Sequence, residues 1–333
     1  MRSLRSTTTP LALVATIAGC QPSEQTPTEP AASAGHSGDE RSQPQPAPPG
    51  GPEEALARVE PLPLLHGAAF SAWPEAPVLA LRTQPLAPEH AEAVWQQLYA
   101  KRTTLGMTPV VISPAMDTQV VDAATHAATI LPSKPSDALE RVRALHATSV
   151  ESFRAWCTEH SADDADALAE CDDDPAAEDI AAMRKAELLP DPPQPSEFSF
   201  PTFDARLATS LAASGLDDAG HEVRKLRVLL LGVPAWEVAA VFGYGGWNAC
   251  PMPADHVAVH KDWYTRHGAS LAYLDRDVLE FYVERPPTDI EATKRLAEEQ
   301  YLYCGDIVEQ GVGTSTALAA GLRTASHWYF WWD

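Results

Sequence analysis

Six residues in the last third of the chain carry side chains that could do chemistry: Cys250, His256, His260, His267, Cys304 and Asp306. His256, His260, Trp263 and His267 follow at i, i+4, i+7 and i+11, so a helix would carry all three imidazoles on one stripe. With Cys250 or Cys304, the His256 and His260 pair has a workable spacing for a zinc ion. A thiol nucleophile is the second chemistry, with Cys250 or Cys304 attacking, His256 as base and Asp306 orienting the imidazole, as a hydrolase would use them. The sequence holds no G-x-S-x-G, H-E-x-x-H or Walker spacing, so the common hydrolase and nucleotide classes lack positive support. The third is recognition. Trp247, Asn248, His256, Trp263, Trp331 and Asp333 could line a ligand pocket or a protein-binding patch, because aromatic side chains dominate both.

These residues need a scaffold, and the pattern around them supplies one. His327 to Asp333 is an aromatic run that reads as a buried strand, with Trp328, Phe330 and Trp332 on one face and Tyr329, Trp331 and Asp333 on the other. Both faces then require a cover. Leu226 to Val233 is a near-continuous apolar strand of the kind buried on both sides, and Pro234 to Val241 suits a short helix. Pro253 to Gly268 predicts a helix with proline at its start and glycine at its stop. Ser270 to Asp275 and Val278 to Glu284 predict a hairpin about Arg276-Asp277. Thr288-Asp289-Ile290-Glu291 matches a capping box opening a helix to about Cys304, and a further helix runs from Thr314 to Leu322. The glycines of Gly243-Tyr244-Gly245-Gly246 provide unusual backbone angles that let Trp247 turn inward.

Upstream, a strand at Val78 to Thr83, a helix at Pro88 to Arg102 and a strand at Thr108 to Ser113 make a β-α-β start, read as a parallel pair. Residues 136–200 change character to an acidic helical insertion. Between Glu151 and Phe200 there are fourteen acidic against three basic residues, the pattern of a solvated helical face. A cation loop is disfavoured because the glycine and closing glutamate of a calcium site are missing. A helix near Asp204 to Ser214 leads on to the C-terminal α+β module at 201–333. The expected fold class is α+β, a mixed sheet covered by helices.

The formal charge of −22 argues against a nucleic-acid partner, whose phosphates would be repelled. No run of 18 apolar residues occurs. Arg2 and Arg5 precede a short apolar stretch, Leu11 to Ala18, closed by Gly19-Cys20, which has the form of a secretory signal over 1–19. Ile17-Ala18-Gly19-Cys20 resembles the lipobox of bacterial lipoproteins. The resemblance implies cleavage before Cys20, a lipid on that cysteine, and attachment to the cell envelope. Gln21 is not the aspartate of inner-membrane retention, which points to the outer membrane, facing periplasm or surface. From Gln21 to Ala55 there is no Val, Ile, Leu, Met or aromatic residue, so residues 20–60 are expected to be a disordered, proline-rich tether. Residues 61–135 form the N-terminal part.

Gly245-Gly246-Trp247-Asn248, Cys250-Pro251, His256-Val257-Ala258-Val259, Trp263, Gln300-Tyr301, Cys304, Asp306-Ile307-Val308 and Trp328 to Asp333 together resemble a bacterial family, domain of unknown function 4253. The resemblance covers about the last third of the chain and implies an α+β module without an assigned activity or cofactor. Of the three histidines only His256 falls on that pattern, which weakens zinc. Cys157, Cys171, Cys250 and Cys304 remain after Cys20. In an oxidising compartment they allow two disulfides in three connectivities, with Cys157–Cys171 and Cys250–Cys304 the chosen pairing. Buried thiols are the alternative, because the family includes cytosolic proteins that keep the two late cysteines. The expected function is therefore binding of an unidentified protein or small ligand by a membrane-anchored module, with the Cys/His/Asp hydrolase as the alternative.

Overall fold

The structure, a computed structural model, describes residues 47–131, 134–160, 175–186, 189 and 225–332. The expected signal, Cys20 and most of the tether lie outside the described residues, as do Cys171, the 204–214 helix and Asp333.

Seven strands form one sheet in the order β1-β2-β4-β3-β5-β6-β7. They are β1 Phe70–Ala72, β2 Ala80–Thr83, β3 Thr108–Ile112, β4 Arg227–Leu231, β5 Ala269–Leu274, β6 Val278–Val283 and β7 His327–Trp331. The sheet is mixed: β3 and β5 run parallel, and every other neighbouring pair is antiparallel. The fold is α+β, as expected. The N-terminal β-α-β reading needs one correction. β2 and β3 do point the same way, but β4 lies between them, antiparallel to both. The reason is in β4 itself, whose Val228, Leu229, Leu230 and Leu231 are all buried; such a strand belongs at the centre, with a layer on each face.

The ten helices among the described residues, numbered in chain order, are α1 Pro52–Val59, α2 Pro88–Tyr99, α3 Arg102–Leu105, α4 Ala123–Thr129, α5 Pro135–His160, α6 Pro175–Lys185, α7 Val238–Val241, α8 Pro253–His267, α9 Ile290–Tyr303 and α10 Ser315–Leu322. On one face of the sheet α1 and α2 pack Ala55, Val59, Val94, Trp95 and Leu98 against Leu81, Val111, Val228 and Leu230. On the other, α5 to α10 cover Val110, Ile112, Leu229, Leu271, Phe281, Trp328 and Phe330.

Helix α1 shortens the expected tether at its C-terminal end. Pro52 begins it, Glu53 and Glu54 occupy the first turn, and Arg58 lies 2.6 Å from Glu54, all choices that favour a helix. Its Ala55 and Val59 are buried, enough to dock this segment on the sheet. Within the insertion the described residues include helices α5 and α6, and Ala138, Val142 and Met183 enter the common core.

Two local expectations about the C-terminal half also shift. The cap of α9 is Asp289, which accepts from the Ala292 N–H at 2.8 Å, one residue later than the Thr288 box. The helix also stops at Tyr303, because Cys304 is extended (φ −148°). A wide π-type turn, Ile307–Val312, follows and closes on Gly313. Between β5 and β6 the register slips at Leu271/Tyr273, a bulge that places both strands almost wholly inside.

Candidate functional site

Helix α8 presents His256, His260 and Trp263 to the sheet because Pro253 starts it and Gly268, in the left-handed conformation (φ 63°), ends it by donating to the Trp263 and Tyr264 carbonyls. His256 and His260 are fully enclosed. Their rings converge on one hydroxyl from α9: Tyr303 Oη lies 2.6 Å from His256 Nδ1 and 2.8 Å from His260 Nε2. One hydroxyl can donate to one of these nitrogens and accept from the other. On its far side, His256 Nε2 meets Cys250 Sγ at 3.5 Å. The result is a buried polar string, Cys250–His256–Tyr303–His260, running through an aromatic core.

The string is tuned toward neutrality. Burial lowers the His256 imidazole to about 3, and burial plus the adjacent His256 holds His260 well below the usual histidine value. Burial, followed by the neighbouring Cys304, pushes the Cys250 thiol far up. Cys304 is raised as well, by burial first and Asp306 second. A thiol and an imidazole so shifted exchange no proton while they stay enclosed.

The covering element is the glycine loop between α7 and α8. Gly243, Gly245, Gly246 and Asn248 have φ of 57°, 110°, 86° and 46°. The loop is cross-braced by Gly246 N–H donating to Pro251 O (3.0 Å) and Cys250 N–H donating to Trp247 O (2.8 Å). At Gly245 a β-carbon would stand 2.0 Å from Pro251 O and 2.8 Å from His256 Nε2. Glycine is required there so that the backbone can lie on the imidazole. That corrects the earlier expectation for this loop: the residue turned inward is Tyr244, which is buried against His256, while Trp247 is only half-buried and packs edge-on to Tyr244. Asn248 and Met252 face solvent.

The expected site residues therefore separate. Cys250 and His256 come together. Asp306 does not join them: it sits at the start of the π-type turn and takes a hydrogen bond from Gln310 (3.2 Å), while the second nitrogen of His256 is turned to Tyr303. Cys304 donates to Trp331 O at 2.9 Å. Cys250 and Cys304 are free, buried thiols and form no bridge, which overturns that pairing; each sulfur is instead engaged by its own neighbour. Cys157 lies on α5, and its expected partner Cys171 is outside the described residues. For zinc, among the described residues no group of three or more His, Cys, Asp or Glu side chains could hold a metal. His267 faces the Arg285 carbonyl (3.2 Å), away from the other two imidazoles.

Among the recognition candidates, Trp263 and His256 are fully buried, so neither contacts a ligand in this state. Trp331 is half-buried between the two cores. Tyr303 and Tyr244 were missed by spacing arguments. Tyr303 follows an unremarkable helical run, and Tyr244 hides between glycines, so neither carries a local signal of its role.

The C-terminal half of the chain thus contributes this string and four strands to the shared α+β sheet. Residues 228–333 match the family described as Domain of unknown function (DUF4253). No curated protein and no solved structure matches the chain.

Proposed function

We propose that the chain is a lipid-anchored envelope protein whose C-terminal module binds a protein or small ligand through the outer side of its glycine loop. The loop carries the binding half of this reading. Three glycines and Asn248 with left-handed backbone hold half-buried Trp247, exposed Asn248 and Met252, which is 57 % exposed, on a braced turn, and Asn248, the one of the four that is not glycine, is in a conformation that concentrates where molecules are recognised. The Ile17-Ala18-Gly19-Cys20 motif and the apolar stretch before it support the anchor. A thiol hydrolase is the weaker reading, because the His256 nitrogen that Asp306 would orient is taken by Tyr303 and burial favours the protonated Cys250 thiol.

Detergent phase partition of the expressed chain tests the anchor. Wild type should enter the detergent phase and incorporate labelled palmitate, and Cys20→Ser should do neither; equal partition of the two sinks the lipid assignment. The binding half is tested by a thermal-shift screen of the purified chain against small metabolites and short peptides. Asn248→Gly, which keeps the left-handed backbone, and Met252→Ser should abolish the shift of any hit without changing the ligand-free melting temperature. Hits that survive both substitutions would place binding elsewhere.

A further inference from the structure

We propose that Cys250 is a gated thiol: residues 245–252 of the glycine loop close it against His256, and opening of that segment alone, with Tyr244 left in the core, exposes it to small disulfides, with which it exchanges. Three observations converge on this site. Cys250 is 1 % exposed, yet it belongs to a surface loop whose Gly246 and Asn248 are exposed, so a single short segment separates its sulfur from solvent. The backbone hydrogen bonds of residues 245–251 join Gly246 to Cys250 and Pro251 and Cys250 to Trp247, all within the loop, so its hold on the core is packing, Gly245 on His256 and Trp247 on Tyr244, whereas the strands around it are knitted by ladder hydrogen bonds. Segments of this kind open at low free energy without global unfolding. Finally, two buried donors beside the same imidazole have no acceptor: the Tyr244 hydroxyl and Trp332 Nε1, whose rings lie 5.5 and 5.8 Å from that of His256. Buried donors are seldom left unpaired, and a ligand entering beneath the open loop would meet them.

The chemistry follows from the 3.5 Å separation of Cys250 Sγ and His256 Nε2. With the loop open, water reaches both groups and removes the burial that kept them neutral. The thiol gives its proton to His256 Nε2, and the thiolate attacks one sulfur of a disulfide R–S–S–R. A bond forms between Cys250 Sγ and that sulfur as the R–S–S–R bond breaks, and the departing thiolate takes the proton from the imidazolium as R–SH. The disulfide is the only oxidant consumed. This inference rests on the loop and the thiol, independently of the binding reading above.

Cys304 is the internal control, because it is equally buried but lies against the Trp331 carbonyl of β7 instead of in the loop. The full chain is treated with an aromatic disulfide whose leaving thiolate absorbs visible light, and each cysteine is followed by peptide mass mapping. Under native conditions Cys250 should react at least tenfold faster than Cys304. In mild urea the Cys250 rate should stay nearly flat and the Cys304 rate should climb, since only global unfolding exposes large surface. Gly245→Ala, whose β-carbon would collide with Pro251 O inside the loop and with His256 Nε2 beneath it, should raise the Cys250 rate tenfold or more and leave Cys304 unchanged. Equal rates with equal urea dependence, a Cys250 rate indifferent to Gly245→Ala, or acceleration of both cysteines together would overturn the proposal. If Gly245→Ala does not fold, the urea comparison on wild type decides alone.

Discussion

The two faces of the sheet are both dry and aromatic, yet they treat their polar atoms differently. Beneath α1 and α2, Trp95 Nε1 donates to Pro109 O (3.1 Å), Tyr99 donates to Glu284 (3.1 Å), and Tyr273 and Ser113 both donate to Asp275. Beneath α5 to α10, Trp328 Nε1, Trp332 Nε1, Tyr244 Oη, His260 Nδ1 and Gln300 Nε2 have no partner. A buried polar group without a partner costs about 1–3 kcal/mol. The contrast is one of degree, since Trp263 Nε1 and the Tyr301 hydroxyl on the second face do donate, to Glu299 and Glu309, and Arg102 Nε on the first does not. Two of the open donors, Tyr244 Oη and Trp332 Nε1, belong to rings that lie against that of His256, on the side of the glycine loop.

The largest expected effect tests whether that side is a cooperative core at all. Trp263 stacks on Phe330 (5.4 Å, 14°) and meets Phe281, Tyr303 and Trp328 edge-on. Trp263→Ala should lower stability by about 3–5 kcal/mol, read from the urea midpoint at constant slope. A loss under about 1 kcal/mol would show that the aromatic cluster is not a continuous core and break the comparison.

Acid should discriminate the faces next, because the buried imidazoles lie on one of them. His256 is neutral in the native state down to about pH 3, while in the unfolded chain it takes a proton near 6.5. Between those values the unfolded state binds more protons, so stability rises with pH; the contribution is complete above about 6.5 and is lost as pH falls toward 3. The slope is about 1.4 kcal/mol per pH unit for one such group, or about 3 kcal/mol between pH 6.5 and 4.5. His260 and His267, both lowered mainly by burial, act in the same direction. Urea melts at pH 7 and 4.5 check this, and His256→Gln should flatten the dependence. An unchanged slope in that variant would remove His256 from the account.

How much of this was legible in the sequence depends on the range of the interaction that decides it. The α8 boundaries, the β5–β6 hairpin, the buried β4 and the terminal β7 strand are set by proline, glycine and apolar period, all local, and they stand where the residues place them. The insertion of β4 between β2 and β3 was not legible, because strand order is decided by partners more than a hundred residues apart. In the site, Cys250 and His256 were found because six residues link a loop to the first turn of a helix. Tyr303 was missed, and Asp306 and a Cys250–Cys304 bridge were favoured in its place, because the break after Tyr303 and the π-type turn rotate residues 304–312 away from the helical phase.

A paired substitution sharpens the contrast in hydrogen bonding at smaller amplitude. Trp95→Phe removes a donor that Pro109 O uses, whereas Trp332→Phe removes a donor that nothing uses. Both lose similar ring volume, so the difference reports the hydrogen bond. Trp95→Phe should cost about 1 kcal/mol more than Trp332→Phe. Equal losses would mean that the Trp332 N–H is satisfied in solution by an ordered water, and the asymmetry between the faces would shrink accordingly.

The smallest effect concerns the outermost layer of the loop-bearing face, the acidic insertion. Arg141 on α5 pairs with Asp255, whose side chain is 8 % exposed at the start of α8, and Arg184 on α6 pairs with Glu298 on α9, where the arginine is 64 % exposed. Loss of Arg141 leaves a nearly buried carboxylate without its cation, partly compensated by the N-terminal end of α8. Loss of Arg184 leaves a carboxylate that water can reach. Arg141→Ala should therefore cost about 1 kcal/mol and Arg184→Ala between about 0 and 0.5 kcal/mol, with the first less sensitive to salt than the second. If instead both substitutions released the insertion, seen as rapid proteolysis within α5, ionic clasps would hold this layer and the apolar seats of Ala138, Val142 and Met183 would be secondary. Their complete burial argues for the opposite: the insertion is seated through its apolar stripe, with Asp137, Glu140, Glu151 and Glu178 on the solvent side.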